Sequence, residues 1–169
     1  MKIGCVLMAA GLGRRFGENK LTVDLGCGET LINYALSAIP GDKLHRVVVV
    51  TQYPQVAALA EKYSFTPLHN PYPERGQSES IRIGLAALSD CDAVMFQVAD
   101  QPRLKKETVA DLIGFAAAHP DRIVGLGHSG RRGNPCIFPA RFFPELMALT
   151  GDCGGRSVIL AHAGELLLM

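Results

Sequence analysis

The sequence predicts a doubly wound α/β protein, a three-layer α/β/α arrangement around a mostly parallel sheet. Three observations predict it. Short, unbroken apolar runs recur along the chain, as in strands covered by helices on both faces. Helical patterns lie between those runs. Glycine-rich or polar loops follow the runs, where open α/β sheets hold their ligands. The 169 residues suit one domain over 1–169, since domains most often span roughly 100–200 residues. No repeat, linker or low-complexity segment divides the chain.

Ile3–Ala9 is the first strand, followed by Arg46–Thr51 around Val47-Val48-Val49-Val50, Ala93–Val98 and Ile123–Leu126, with Glu165–Leu168 last. Helices are expected over Leu31–Ala38, Gln55–Lys62, Glu79–Leu88, Glu107–His119 and Arg156–His162. Ser78 before Glu79, and Asp152 before Gly154-Gly155-Arg156, are suited to cap helix N-termini. The unusual residues gather in the loops Gly11–Lys20, Asn70–Ser80, Asp100–Arg103, Ser129–Pro135 and Gly151–Arg156.

Charge narrows the function. The net formal charge is +1, from 17 basic and 16 acidic side chains. Split after residue 84, the halves carry +2 and −1. This is not the broad basic footprint of a duplex binder, so no nucleic-acid partner is expected and phosphate chemistry must rest on a local cluster. No apolar run approaches the roughly 18 residues that span a bilayer, so no membrane partner is expected. Residues 1–10 are apolar, but Arg14-Arg15 follow them, on the wrong side for a signal peptide. The five cysteines are odd in number and widely spaced, with no CxxC pair or Cys/His ligand cluster along the chain. That pattern argues against a zinc site and for Cys5, Cys91 and Cys136 as small hydrophobes in a reduced, cytoplasmic protein. His45, His69, His119, His128 and His162 fall in no motif and read as surface or loop residues.

Ala9-Ala10-Gly11-Leu12-Gly13-Arg14-Arg15-Phe16-Gly17-Glu18-Asn19-Lys20 follows the first strand directly. Glycines let backbone N–H groups approach a ligand and cradle phosphate oxygens. Arg14, Arg15 and Lys20 add three positive charges within seven residues. A dinucleotide fingerprint needs glycine where Phe16 stands, and a Walker A loop needs Gly-Lys-Ser/Thr where Asn19-Lys20-Leu21 stands, so neither matches. A glycine-rich surface turn with solvated arginines is the plain alternative. Farther on, Asp100 of Ala99-Asp100-Gln101-Pro102 follows the third predicted strand, where a carboxylate can hold Mg²⁺; an aspartate in a turn before proline is the commoner case. In Arg75-Gly76-Gln77-Ser78-Glu79-Ser80, polar side chains meet at a helix N-terminus, which favours anions.

These motifs together resemble the MobA-like NTP transferases, a family that includes the molybdenum-cofactor cytidylyl- and guanylyltransferases. The run Leu7–Leu21 is similar to the family signature, with its glycine on Gly11, its arginine on Arg15 and its lysine on Lys20; Arg14 falls on a variable position. Asp100-Gln101-Pro102 matches the metal-binding motif, and Gly76–Ser80 is similar to a nucleotide-contacting Gly-x-Ser-x-Ser stretch. Gly133-Asn134-Pro135 and Gly151-Asp152-Cys153-Gly154-Gly155-Arg156 are similar to the acceptor-side elements, with Asn134 where the cytidylyltransferases carry histidine. The likeness covers roughly residues 3 to 160 and keeps the motifs in family order.

The resemblance implies a GT-A-like, Rossmann-like fold and transfer of a nucleotide from an NTP, CTP before GTP, to a phosphate-bearing acceptor such as molybdopterin, with release of pyrophosphate. It implies Arg15, Lys20 and Asp100 as catalytic, with Mg²⁺ on Asp100. Ala9, Ala10, Gly11, Gly13, Arg14, Gln77, Ser78 and Ser80 would bind the nucleotide. Gln101, Pro102, Asn134, Pro135, Asp152 and Arg156 would meet the acceptor. Asp152 would supply a second metal ligand, orient Arg156 or cap a helix. A sugar- or polyol-phosphate nucleotidyltransferase is the enzymatic alternative. A nucleotide-binding accessory protein serving a molybdoenzyme apoprotein is the non-enzymatic one. Family members usually continue past the last strand with an Asp-containing segment, which has no counterpart in Leu166–Met169.

Overall fold

Among the described residues seven strands form one sheet in the order β3-β2-β1-β4-β6-β5-β7. They are β1 (Ile3–Ala9), β2 (Arg46–Thr51), β3 (Thr66–His69), β4 (Ala93–Val98), β5 (Ile123–His128), β6 (Arg131–Pro139) and β7 (Leu166–Leu168). Among the described residues six α-helices accompany them: α1 (Leu31–Ser37), α2 (Pro54–Lys62), α3 (Gln77–Ala87), α4 (Lys106–Ala118), α5 (Phe143–Met147) and α6 (Arg156–Ala161). The computed structural model describes residues 1–11, 20–26 and 28–169. All neighbouring strands are parallel except β6, which runs against both β4 and β5. Among the described residues no helix is long and apolar enough to cross a membrane.

Alternation along β1 explains the layering. Ile3, Cys5, Leu7 and Ala9 enter a core with residues of α1, α2 and α4, while Val6 enters a second core with residues of α3, α5 and α6. A strand covered on both faces cannot show a polar side, which is why it reads as an unbroken apolar run. Cys5 and Cys136 lie in these cores as expected, and burial pushes both thiols up, so they remain neutral.

Two strands depart from the expectation. Thr66-Pro67-Leu68-His69 is an edge strand whose side chains are only exposed or half-buried, and it carries the proline that an edge tolerates. It therefore lacks the apolar signal. Residues 129–135 were expected as a loop. Instead β5 and β6 form a tight hairpin closed by Ser129 (φ 50°) and Gly130 (φ 72°), with His128 opposite Arg131. Two consecutive positive φ values are the mark of a two-residue turn whose twist matches its strands. The polar first half of β6 extends past the core and hides the strand in the sequence, while Pro135–Pro139 is buried. The short helix α5 was not expected either. Its amphipathic stretch is too brief for a periodicity to register.

Candidate active site

The order β2-β1-β4 creates a switch point. The chain leaves β1 toward β2 on one side, and β4 lies on the other. Ligands of open α/β sheets bind outside the carboxyl ends of strands at such a point. A cleft of about 790 Å³ lies there, lined by Gly11 and Lys20 after β1, Asp100 after β4, and Arg75, Gln77 and Asp152 opposite.

Lys20 and Asp100, 80 positions apart, meet across this cleft: Lys20 Nζ is 3.1 Å from Asp100 Oδ2. Both side chains stay partly solvent-exposed, at 39% and 47%, so the pair is accessible to a ligand and contributes little to stability. Asp100 Oδ1 has no partner among the described residues. Ala10 and Gly11 border the cleft, whereas Ala9 is buried at the strand end. Leu12–Asn19, and with them Gly13, Arg14 and Arg15, lie outside the described residues.

Three side chains at the end of β2, absent from the sequence reading, hold the start of this loop. Thr51 Oγ1 donates to the Ala9 carbonyl at 3.0 Å, Gln52 Nε2 to Ala10 at 2.9 Å, and the Tyr53 hydroxyl to Gly11 at 2.7 Å. Burial raises the Tyr53 phenol, so it remains a donor across the neutral range. With the three carbonyls engaged, the Gly11 N–H stays without a partner among the described residues. A Cβ on Gly11 would meet nothing within 4 Å. Nothing in the packing of the described residues requires glycine there, as befits a position that a ligand approaches closely. The signal that could have found the clamp is position: Thr51-Gln52-Tyr53, like Asp100, lies just past the carboxyl end of a strand.

The opposite wall is organised differently. Ser78 is 2% exposed, and its hydroxyl donates to the Gly151 carbonyl at 2.8 Å. Asp152 Oδ1 accepts the Gln77 N–H at 3.3 Å. The N-terminus of α3 is thus satisfied by the 151–152 turn and not held open for an anion. This corrects two expectations about capping. Ser78 does not cap α3; Gly76 stands at the cap position. Asp152 caps α3 instead of α6, and no ion pair joins it to Arg156, which is exposed at the start of α6. Gly76 itself is indispensable. At φ 82° a Cβ would fall 2.6 Å from Asp152 Cα.

Ser80 does reach the cleft, held by the fully buried Asn70, whose Nδ2 donates to Ser80 Oγ at 3.1 Å. Arg75, also unassigned from the sequence, lies over the Tyr72 ring at 3.9 Å and shares the nearly buried Glu79 with Arg82. Asn134 accepts the Val98 N–H through Oδ1 at 3.0 Å and so extends the β4–β6 pairing beyond Cys136. Asn134 and the buried Pro135 do not line the cleft. Gln101 Oε1 is enclosed and finds no donor among the described residues, while Pro102 is exposed.

A lysine and a carboxylate at the switch point of this sheet, in a GT-A-like Rossmann fold, belong to a protein of the nucleotidyltransferase class. The chain belongs to the MobA-like NTP transferase family, whose domain matches residues 5–166. It is 28% identical to the purine catabolism protein PucB of Bacillus subtilis over 91% of this chain and 78% of that protein. It is 29% identical to nicotine blue oxidoreductase of Paenarthrobacter nicotinovorans over 89% and 78%. Among solved structures, Rv0371c of Mycobacterium tuberculosis, in complex with manganese, shares the fold at a TM-score of 0.73, with 19% identity over 100% of this chain and 89% of that one. The molybdopterin-guanine dinucleotide biosynthesis protein A of Archaeoglobus fulgidus does so at 0.64, with 18% identity over 98% and 82%.

Proposed function

We propose that this nucleotidyltransferase moves a nucleotide from an NTP, CTP before GTP, to a phosphate-bearing acceptor, with molybdopterin the preferred candidate, and that it uses Mg²⁺. One observation carries the reading: Lys20 and Asp100 face each other at 3.1 Å in the cleft. The residues suit a hard divalent cation. Asp100 already takes a cationic partner through Oδ2, and Glu74 lines the same cleft. Mg²⁺ needs only one or two carboxylates beside substrate phosphates. The manganese complex of Rv0371c adds support. The cation, when bound, neutralises phosphate charge.

Substrate binding exchanges partners across the cleft. Asp100 would hold the cation in place of its bond to Lys20, and the Lys20 ammonium would then neutralise the α-phosphate as charge builds there. The Gly11 N–H, whose carbonyl side is clamped by Tyr53, would meet the departing pyrophosphate, a role that the family resemblance also gives to Arg15. An acceptor phosphate oxygen forms the new bond to the α-phosphorus as the bond to the pyrophosphate oxygen breaks. The acceptor is already ionised, so no general base is needed. The preference for CTP rests on the likeness of Ala9-Ala10 and Asp100-Gln101-Pro102 to the cytidylyltransferase branch.

The test is pyrophosphate release with each of the four NTPs, with and without molybdopterin. Release that requires both CTP and molybdopterin is the expected result. Turnover with a sugar or polyol phosphate instead reassigns the acceptor. If one nucleotide raises the melting temperature but no acceptor supports turnover, the protein is a nucleotide-binding accessory factor.

A further inference from the structure

At the end of the sheet opposite the cleft, three side chains meet that the linear sequence keeps in separate segments. His45 precedes β2, and Asp90 and Cys91 precede β4, the two strands that flank β1. A ring nitrogen of His45, a carboxylate oxygen of Asp90 and the Cys91 sulfur all lie within 4.8 Å of one another. His45 Nε2 stands 3.4 Å from Asp90 Oδ2. That is longer than an ordinary N–H···O bond of about 2.7–3.2 Å. It is close to the separation of about 3.3 Å between two ligands of one tetrahedral metal at about 2.0–2.1 Å.

The surroundings support the arrangement. Arg46 Nη2 donates to Asp90 Oδ1 at 2.6 Å, which leaves Oδ2 turned to His45. A ligating carboxylate is commonly oriented by an outer hydrogen bond of this sort. The main chain fixes the two arms: His45 N–H donates to the Ile3 carbonyl at 2.8 Å, and Cys91 N–H to Leu88 at 3.0 Å. Gly4 lies beside the sulfur, where a Cβ would come within 3.0 Å of it, so the thiol has its room only because residue 4 lacks a side chain. His45 and Asp90 are exposed, giving an ion an entry path, while Cys91 lies beneath them.

We propose that His45, Asp90 and Cys91 form a second metal site, separate from the nucleotide cleft, that takes Zn²⁺ or a similar thiophilic divalent ion. An imidazole, a carboxylate and a thiolate are the donor set for such an ion, whereas Mg²⁺ prefers oxygen alone. On binding, the Cys91 S–H proton leaves to solvent and the sulfur bonds the metal. Water fills the fourth position. The ion ties the entry of β2 to the entry of β4, and because it binds only the folded arrangement it raises stability without touching the transfer chemistry.

Titration of the full chain with Co²⁺ tests this, because only a thiolate ligand gives a sulfur-to-cobalt charge-transfer band in the near ultraviolet. The expected result is one such band at one equivalent. It should disappear in Cys91→Ser, weaken more than about tenfold in affinity in the surface variant His45→Ala, and persist in Asp100→Asn, which disables the cleft. Zn²⁺ should raise the melting temperature of the wild type but not of His45→Ala, and NTP turnover should be equal in the two. Absence of the band in the wild type overturns the proposal, and so does a band that survives Cys91→Ser, since another cysteine would then be the ligand.

Discussion

The two walls of the cleft are built from similar residue types and do opposite things with them. On the β1 side, the carbonyls of Ala9, Ala10 and Gly11 are tied down by Thr51, Gln52 and Tyr53, while the Gly11 N–H and the Lys20–Asp100 pair face open space. On the α3 side, Asp152 and the Gly151 carbonyl satisfy Gln77 and Ser78, and Gly76 packs against Asp152. Glycine, serine and aspartate at a helix start therefore make a ligand site only if a neighbouring segment has not already filled it. The difference lies in the partners: β2 side chains remove acceptors and leave donors, whereas the 151–152 turn supplies acceptors to the donors of α3.

The largest effect that would sharpen this contrast is on turnover at the open wall. Lys20→Ala and Asp100→Asn should each slow metal-dependent pyrophosphate release about 10²–10³-fold. Their unfolding free energy should change by no more than about 1 kcal/mol, because the pair is exposed. Rates near wild type would remove both residues from the chemistry. Next, Gly11→Ala should keep wild-type stability, since the added methyl meets no atom of the described residues. It should lower kcat/KM for the NTP by up to about 10²-fold by displacing the phosphates.

The closed wall should behave the other way round. Gly76→Ala forces a side chain into a left-handed backbone and against Asp152, and should cost about 1–3 kcal/mol or more in urea unfolding. Ser78→Ala leaves the Gly151 carbonyl short of its hydroxyl donor and should cost about 1–2 kcal/mol, with turnover of the folded enzyme little changed. The smallest effect is expected for Asp152→Asn. Asparagine caps as well as aspartate, so stability should move by only a few tenths of a kcal/mol. A large loss of turnover in that variant would break the comparison, because it would show the Asp152 charge acting on a ligand.

Much of this was legible in the sequence. β1, β2 and β4 came out with the right bounds because strands buried on both faces must be apolar throughout, and Lys20 and Asp100 could be named because the motifs around them resemble those of the family; position alone left Asp100 a turn aspartate. The edge strand β3 escaped because Pro67 and its half-buried neighbours carry no such run. The strand β6 escaped because Arg131–Asn134 project beyond the core. Ser78 and Asp152 were misjudged for one shared reason. Capping was sought within the segment, whereas the atoms that satisfy α3 come from a turn more than 70 positions away.

By itself the sequence determined the class of fold, the family and the residues able to carry charge chemistry, since apolar runs, glycines and ionisable groups are local properties of the chain. Only the tertiary structure decided which of those groups remain available. Hydrogen bonding is a matter of which groups meet, and that is set by the strand order β2-β1-β4 at the switch point, by side chains at the end of β2 reaching over Ala9–Gly11, and by the 151–152 turn closing on α3. The same long-range packing brings His45 beside Cys91, a neighbour relation that no spacing along the chain encodes.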